Sequence, residues 1–364
     1  MMVQGDLTPL RGQRVVVAMS GGVDSSVAAA LLKEAGVETV GVFLHVWDYQ
    51  RSDAARHGSC CALEDAYDAR RVADRLAIPF YSLDMREIFR HEVIEPFIAD
   101  YAAGRTPNPC ALCNRQVKFG ALLRIADQLG AASVATGHYL ERRDDAEGVR
   151  LFRGHDRRKD QSYFLANLNR GQAGRLLFPV GHIEKEQTRR FALAFGLPTA
   201  SKHESQDICF IPDGDRLGFL RREGGGGLQP GAIVDGGGRK LGEHRGIACY
   251  TLGQRKGLGL AGGPWQVVQL DGERAEVVVA PAGSARHHDV EIDSLCWIRA
   301  PAADEPLQAR LRYASEPADC TVRWAGEGAL LQFADPAPGT APGQVAALYS
   351  GDELLGGGFV SRIV

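Results

Sequence analysis

The stretch RVVVAMSGGVDSSVAAALLKEAG, Arg14 to Gly36, decides how the chain is read. A short β-branched run, Arg14 to Ser20, stops at Gly21-Gly22, and Val27 to Ala35 then has helical composition: strand, tight turn, helix. A glycine turn at the start of a helix is a phosphate cradle, because the backbone approaches an anion closely while free amides and the positive helix end face it. Ser25 and Ser26 add hydroxyl donors. The blander reading is a glycine turn with a serine cap. No G-x-x-x-x-G-K-[ST] pattern occurs, which disfavours ordinary γ-phosphate transfer. The alternation repeats outward from this stretch: strand Val40 to Val46, helix Ala62 to Leu76, strand Pro79 to Leu83 with a helix after it, and a fourth strand at Ala132 to Gly137. The expected fold class is α/β, a doubly wound parallel sheet covered on both faces.

Near Pro212 the pattern changes. Glycine clusters at 224–227 and 236–238 are followed by short β-like runs such as EVVVAP (Glu276–Pro281) and QVAALYS (Gln344–Ser350). Three units are expected: a catalytic domain over 1–213, a small β-rich domain over 214–284, and a C-terminal β-barrel over 285–364. A length of 364 residues suits two or three domains. With 45% hydrophobic residues, 24% charged residues and a net charge of -3, a disordered polyelectrolyte and a globally cationic nucleic-acid coat are excluded, so any nucleic-acid surface is local. The 44 glycines follow no G-X-Y period, which excludes collagen. No run reaches the ~18 apolar residues of a membrane span. The start, Met1 to Arg14, lacks a signal-peptide pattern, and a cytoplasmic location is expected.

Eight cysteines in such a chain read as thiols, metal ligands or catalytic groups rather than a disulfide framework. Cys110 and Cys113 form one C-x-x-C after the proline-stiffened Thr106-Pro107-Asn108-Pro109, half of a zinc or redox site. Neither a second C-x-x-C nor histidines at ligand spacing complete it, and the adjacent Cys60-Cys61 is awkward for one tetrahedral metal. Cys209 closes the polar run SKHESQDIC, whose blander reading is an inert buried thiol before an apolar pair.

The SGGVDSS loop resembles that of the ATP pyrophosphatases, which grip the pyrophosphate of ATP while a substrate attacks the α-phosphate. Six motifs in order extend the likeness: SGGVDSS (Ser20–Ser26), GRTPNPCALCNRQVKFG (Gly104–Gly120), ATGHY (Ala135–Tyr139), KDQSYFL (Lys159–Leu165), HESQDICFI (His203–Ile211) and YTLGQRKGLG (Tyr250–Gly259). Together they resemble the tRNA-specific 2-thiouridylases over essentially the whole chain. That resemblance implies an ATP-dependent sulfurtransferase that adenylates the C2 oxygen of the wobble uridine in the anticodon stem-loop and replaces it with sulfur. Phosphate is a good leaving group where the oxygen is a poor one. It implies ATP contact through Ala18, Met19, Ser20, Gly21, Gly22, Val23, Asp24, Ser25, Leu44 and Gly137, with Asp24 also holding Mg²⁺. Cys113 becomes the nucleophile and Cys209 the persulfide carrier, able to close a Cys113–Cys209 disulfide. Target-base contact falls to Asn108, Pro109 and Cys110, a near-substrate place to His138, and tRNA contact to Lys159, Asp160, Gln161, Arg312, Tyr313 and Gln344. The implied partners are tRNA rather than DNA, with the 214–284 domain as a tRNA-binding or adaptor unit, and a persulfide donor or carrier protein, with no membrane.

One departure stands out: many members have aspartate where this chain has Cys110. Three thiols, Cys110, Cys113 and Cys209, suggest the alternative of an iron-sulfur cluster with one open iron. Residues 150–190 hold ten Lys and Arg against four Asp and Glu, a candidate phosphate-binding window, whereas residues from Arg286 onward hold six against eleven. RNA contacts of the barrel are thus expected to be few and specific. Arg115, Lys118 and His203 are candidates for lowering thiol pKa values. Competing readings are an ATP pyrophosphatase acting on another substrate, such as an amidating enzyme, and an RNA-binding module stapled by a metal on Cys110 and Cys113.

Overall fold

The computed structural model describes residues 7–47, 63–203, 208–211, 214–283, 287–326, 328–337 and 339–364. Cys60, Cys61 and residues 204–207 lie outside that range. β1 (Arg14–Ala18) is the centre of a five-stranded parallel sheet ordered β3-β2-β1-β4-β7, with β2 at Glu38–His45, β3 at Phe80–Asp84, β4 at Ser133–Ala135 and β7 at Leu176–Leu177. Val15, Val16 and Val17 are all buried, so consecutive side chains pack on both faces, as a covered parallel sheet requires. Burying each such valine contributes about 1.5–3 kcal/mol. α1 (Val23–Glu34) begins earlier than the sequence suggested, because Gly22 in an extended conformation caps it and Asp24 sits in its first turn. α2 (Leu63–Leu76) links β2 to β3.

A four-stranded sheet, ordered β10-β11-β8-β9, follows: β8 Gly231–Asp235, β9 Lys240–His244, β10 Trp265–Asp271 and β11 Glu276–Pro281. The C-terminal strands are β12 (Asp289–Trp297), β13 (Leu307–Arg310), β14 (Ala318–Ala325), β15 (Gly328–Gln332), β16 (Val345–Ser350) and β17 (Glu353–Ile363). They pair in the order β12-β15-β14-β13-β16-β17, and β17 returns to β12 to close a six-stranded barrel.

A hairpin that the sequence reading did not anticipate, β5 (Leu140–Asp145) with β6 (Gly148–Arg153), leaves the parallel sheet and pairs β6 with β17, at Leu151↔Leu354. The ends of that seam are held by Glu353, which accepts from Arg150 and from Arg299 Nε (2.9 Å). Among the described residues, no helix is long and apolar enough to cross a membrane.

Candidate active site

The loop between β1 and α1 is locked from behind. Gly22 carbonyl accepts from Ser25 Oγ (3.1 Å), Ser26 Oγ (2.7 Å) and Ser26 N–H (3.2 Å), and Ser25 Oγ accepts from Ser20 N–H (3.1 Å). Ser26 is wholly buried, which corrects its expected part as an anion donor: it braces the turn instead. Gly21 has φ +74°, and a Cβ there would drive into the carbonyl of Asp65 on α2, so only glycine fits. Gly137 presses on the first turn of α1, where a Cβ would stand 2.5 Å from Ser25 N. Ala18 ends β1, and Met19 and Val23 are buried beneath the loop.

Asp24, on the first turn of α1, is held by groups from elsewhere in the chain. Lys185 Nζ donates to both carboxylate oxygens at 2.7 Å, and Tyr139 Oη donates to Oδ1 at 2.8 Å. Tyr139 Oη also contacts Thr188 at 2.9 Å. Lys185 opens the helix Lys185–Ala194, so a second helix start brings an ammonium to a loop whose own sequence has none. Sequence reasoning missed Lys185 and Thr188. A lysine 161 residues away leaves no local spacing to read, and the one available signal was its place at the start of an amphipathic helix.

Two of the cysteines share one cluster near the C-terminal end of β2. Cys113 begins a π-helical turn, Cys113–Lys118, directly after the Asn108-capped turn Pro109–Leu112. Cys113 is buried and Cys209 half-buried, and both belong to one apolar cluster that also takes in Leu44 and Trp47. Phe210 fixes the Cys209 end of that cluster, edge-on to Phe97 at 5.2 Å and tilted on Phe219 at 5.1 Å. Cys110 is exposed and Pro109 buried. Asn114, next after Cys113, donates to the Phe164 carbonyl (3.1 Å) and keeps its Oδ1 buried with no partner. An orphan acceptor costs about 1–3 kcal/mol, so it marks a place suited to a ligand N–H.

The barrel holds the loop that carries Asn108. Thr106 and Asn108 N–H donate to the Pro342 and Gly343 carbonyls (2.8 and 3.1 Å), and Gln344 Nε2 donates to the Thr106 carbonyl (2.7 Å). His138 pairs Nδ1 with Thr136 Oγ1 at 2.9 Å and lies 6.0 Å from the Phe119 ring. Tyr313, exposed on the barrel beside exposed Arg312, stacks on Phe164 at 4.7 Å. Lys159 is half-buried, and Gln161 is pinned to Tyr139 through both its backbone and its Oε1.

Asp160 is buried and fully occupied: Arg310 Nη1 (2.8 Å), Ser162 Oγ (3.0 Å), and the N–H groups of Gly154 and Ser162 (3.1 Å each) surround its carboxylate. The bond to Arg310 ties the catalytic domain to the barrel. Several arginines of the basic window stand in ion pairs. Arg153 pairs with Glu316, Arg157 with Asp352, Arg158 with Asp156, Arg175 with Asp127 and Arg190 with Glu186. Periodicity and charge counts cannot register such partners, because most of them come from distant segments.

Among the described residues, no group of three His, Cys, Asp or Glu side chains is placed to hold a metal ion. Cys110, Cys113 and Cys209 therefore do not stand together as the ligand set of an iron-sulfur cluster. A carboxylate beside an anion cradle is the oxygen donor that Mg²⁺ takes, and Asp24 fits that role once Lys185 yields.

Residues 13–213 match the family model described as the tRNA methyl transferase HUP domain, residues 219–281 its PRC-barrel domain, and residues 287–360 the aminomethyltransferase beta-barrel domain. A relative from Magnetococcus marinus, named tRNA-specific 2-thiouridylase MnmA, is 46% identical over 96% of this chain and 99% of its own. One of the same name from Geobacter metallireducens is 46% identical over 97% and 98%. A fold, an anion loop and a cysteine pair alone leave the family open, but near-complete coverage at this identity does not: the chain belongs to the tRNA-specific 2-thiouridylase family.

Proposed function

We propose that this chain is a tRNA-uridine 2-sulfurtransferase that uses ATP. The observation that carries the reading is the single apolar cluster that includes Cys113, Cys209 and Leu44, the last on β2 beside the strand that enters the nucleotide loop. ATP lies with its phosphates on the 20–25 loop and its adenosine toward Leu44 and Gly137. Mg²⁺ at Asp24 neutralises phosphate charge when bound. Lys185, released from Asp24, supplies the cation that the loop lacks.

The uracil C2 oxygen attacks the α-phosphorus and pyrophosphate leaves. A persulfide on Cys209, loaded by a carrier protein, then delivers sulfur by one of two routes. Its terminal sulfur displaces AMP from C2, and the Cys113 thiolate attacks Cys209 Sγ to release 2-thiouridine. Alternatively, the Cys113 thiolate attacks first, and the sulfide released displaces AMP. Both leave a Cys113–Cys209 disulfide, because zero-valent sulfur gains the two electrons that the thiols lose, and a dithiol reductant restores the pair. An apolar surround keeps the adenylated base from water.

The test is purified chain with ATP, unmodified tRNA and a persulfide donor, read by nucleoside mass spectrometry. Wild type yields 2-thiouridine, while Cys113→Ser and Cys209→Ser release pyrophosphate without thiolating. Thiolation by both cysteine variants overturns the relay. Amidation in place of thiolation overturns the substrate.

A further inference from the structure

The loop Thr251–Gly259, between the 3₁₀ turn at Ile247–Cys249 and β10, has no assigned task. It is knit into one shape by its own bonds. Gly253 N–H donates to Val267 carbonyl and Val267 N–H to Gln254 carbonyl, both at 2.9 Å. Gln254 Oε1 accepts from Thr251 N–H (3.1 Å), and its Nε2 donates to Lys256 carbonyl (3.0 Å). Leu258 is buried in the core of the central sheet and anchors the far side.

From this frame Arg255 and Lys256 are exposed, and neither side chain has a hydrogen-bond or ion-pair partner among the described residues. Their neighbours differ: Arg239 pairs with Asp235, Lys240 with Glu243 and Arg274 with Asp271. No acidic residue occurs between Arg245 and Asp271, so the sequence itself leaves the two charges uncompensated. Two adjacent cations on a rigid loop repel each other, and an anionic ligand removes that cost.

The position points to the ligand. A Cβ on Gly253 would sit 4.0 Å from Arg312 Nη2, so the loop meets the barrel at Arg312. Successive Cα atoms are 3.8 Å apart, which keeps Arg255 within about 8 Å of that junction. From Arg312 the surface runs through Tyr313 to Phe164, whose carbonyl binds Asn114 beside Cys113. A nucleotide chain with its target base at Cys113 therefore leads across Tyr313 and Arg312 onto the loop.

We propose that Arg255 and Lys256 form a backbone-phosphate site for the RNA substrate, continuing on the central domain the track that Arg312 begins on the barrel. The proposal rests on the tRNA reading above. With several arginines of the basic window in ion pairs, these two cations add uncompensated charge to the track.

The test compares wild type with Arg255→Gln/Lys256→Gln and Arg255→Glu/Lys256→Glu, in tRNA binding from 50 to 200 mM KCl and in thiolation kinetics. The neutral double variant is expected to raise the tRNA KM about 10-fold near 150 mM salt and to flatten the log-log salt slope by roughly 1.5–2, two phosphates' worth. The reversed-charge variant goes further in the same direction. Unchanged circular dichroism and ATP affinity confirm that the fold survives, and kcat stays within 2-fold. Wild-type KM and slope in both variants, while wild type thiolates tRNA, overturn the phosphate site alone. If wild type neither binds nor thiolates tRNA, the functional reading falls and the site with it. A defect confined to the KM for a persulfide-carrier protein, with tRNA binding intact, overturns RNA in favour of an acidic protein at the loop.

Discussion

Asp24 and Asp160 are both carboxylates met by a cation from a distant segment, yet their surroundings give them opposite work. The Asp24 and Lys185 side chains retain 30% and 10% exposure and touch the loop proposed to hold ATP. Those of Asp160 and Arg310 retain 0% and 7%, with Ser162 and two backbone amides filling the remaining lone pairs. A pair open on one side can exchange partners when a ligand arrives. A pair closed on all sides can only hold or break.

The sharpest test of that contrast is Asp160→Ala, which strands Arg310 in the interior. Unfolding in urea is expected to lose about 3–5 kcal/mol, as for other buried pairs with one partner removed. A wild-type midpoint would show that the pair does not hold the barrel on. Asp24→Asn is expected to invert the pattern. Pyrophosphate release falls by about 100- to 1000-fold, the scale of losing one preorganised charge contact, with unfolding within about 1 kcal/mol of wild type and tRNA affinity nearly unchanged. Adenylation surviving in this variant would collapse the distinction.

Lys202 offers an intermediate case. Its Nζ bridges Asp65 (2.5 Å) and Asp68 (2.6 Å) on α2, while Arg189 Nη1 donates to the Ala200 and Lys202 carbonyls. Both neighbours pack at the nucleotide loop, α2 through Gly21 and the Arg189 helix through Lys185, so the base of the segment that leads to Cys209 is fastened there. Lys202→Met is expected to slow thiolation about 10-fold while leaving pyrophosphate release within 2-fold, since misplacement of a reacting group costs rate without touching the other half-reaction. Equal losses in both half-reactions would make it a general destabiliser.

The smallest effect belongs to the barrel rim. Hydrogen bonds from Arg299 hold the Glu305 carboxyl down to about 2 from its ordinary value of 4.5. The stabilisation is present above pH 4.5 and disappears as pH falls toward 2, so Glu305→Gln should flatten the acid limb of the stability profile in that window. With solvent screening, its contribution at neutral pH is about 1 kcal/mol or less. A wild-type acid limb in the variant would place the proton uptake elsewhere.

The sequence made β1, its loop and α1 legible because strand, glycine turn and helix are contiguous and each obeys its own short period. Cys113 and Cys209 were legible through motif order, although no spacing rule brings residues 96 apart into one cluster. The structural part of Asp160 was hidden for the converse reason: polar residues in a motif look available, and only the fold reveals Arg310, 150 residues on, bound to it. Lys185 was invisible on the same ground.

The pairing of β6 with β17 carries a further consequence, for synthesis on the ribosome. Leu151 and its partner Leu354 are separated by about 200 residues, which at roughly 5–20 residues per second means about 10–40 s between them. For most of that interval the ATP-binding half is complete in sequence, but its projecting hairpin has an outer edge with no strand to pair against, the kind of edge that recruits wrong neighbours. Nascent chains stalled before Glu353 should therefore depend on chaperones, and a shortened chain ending after the first domain should aggregate rather than serve as a soluble ATPase fragment.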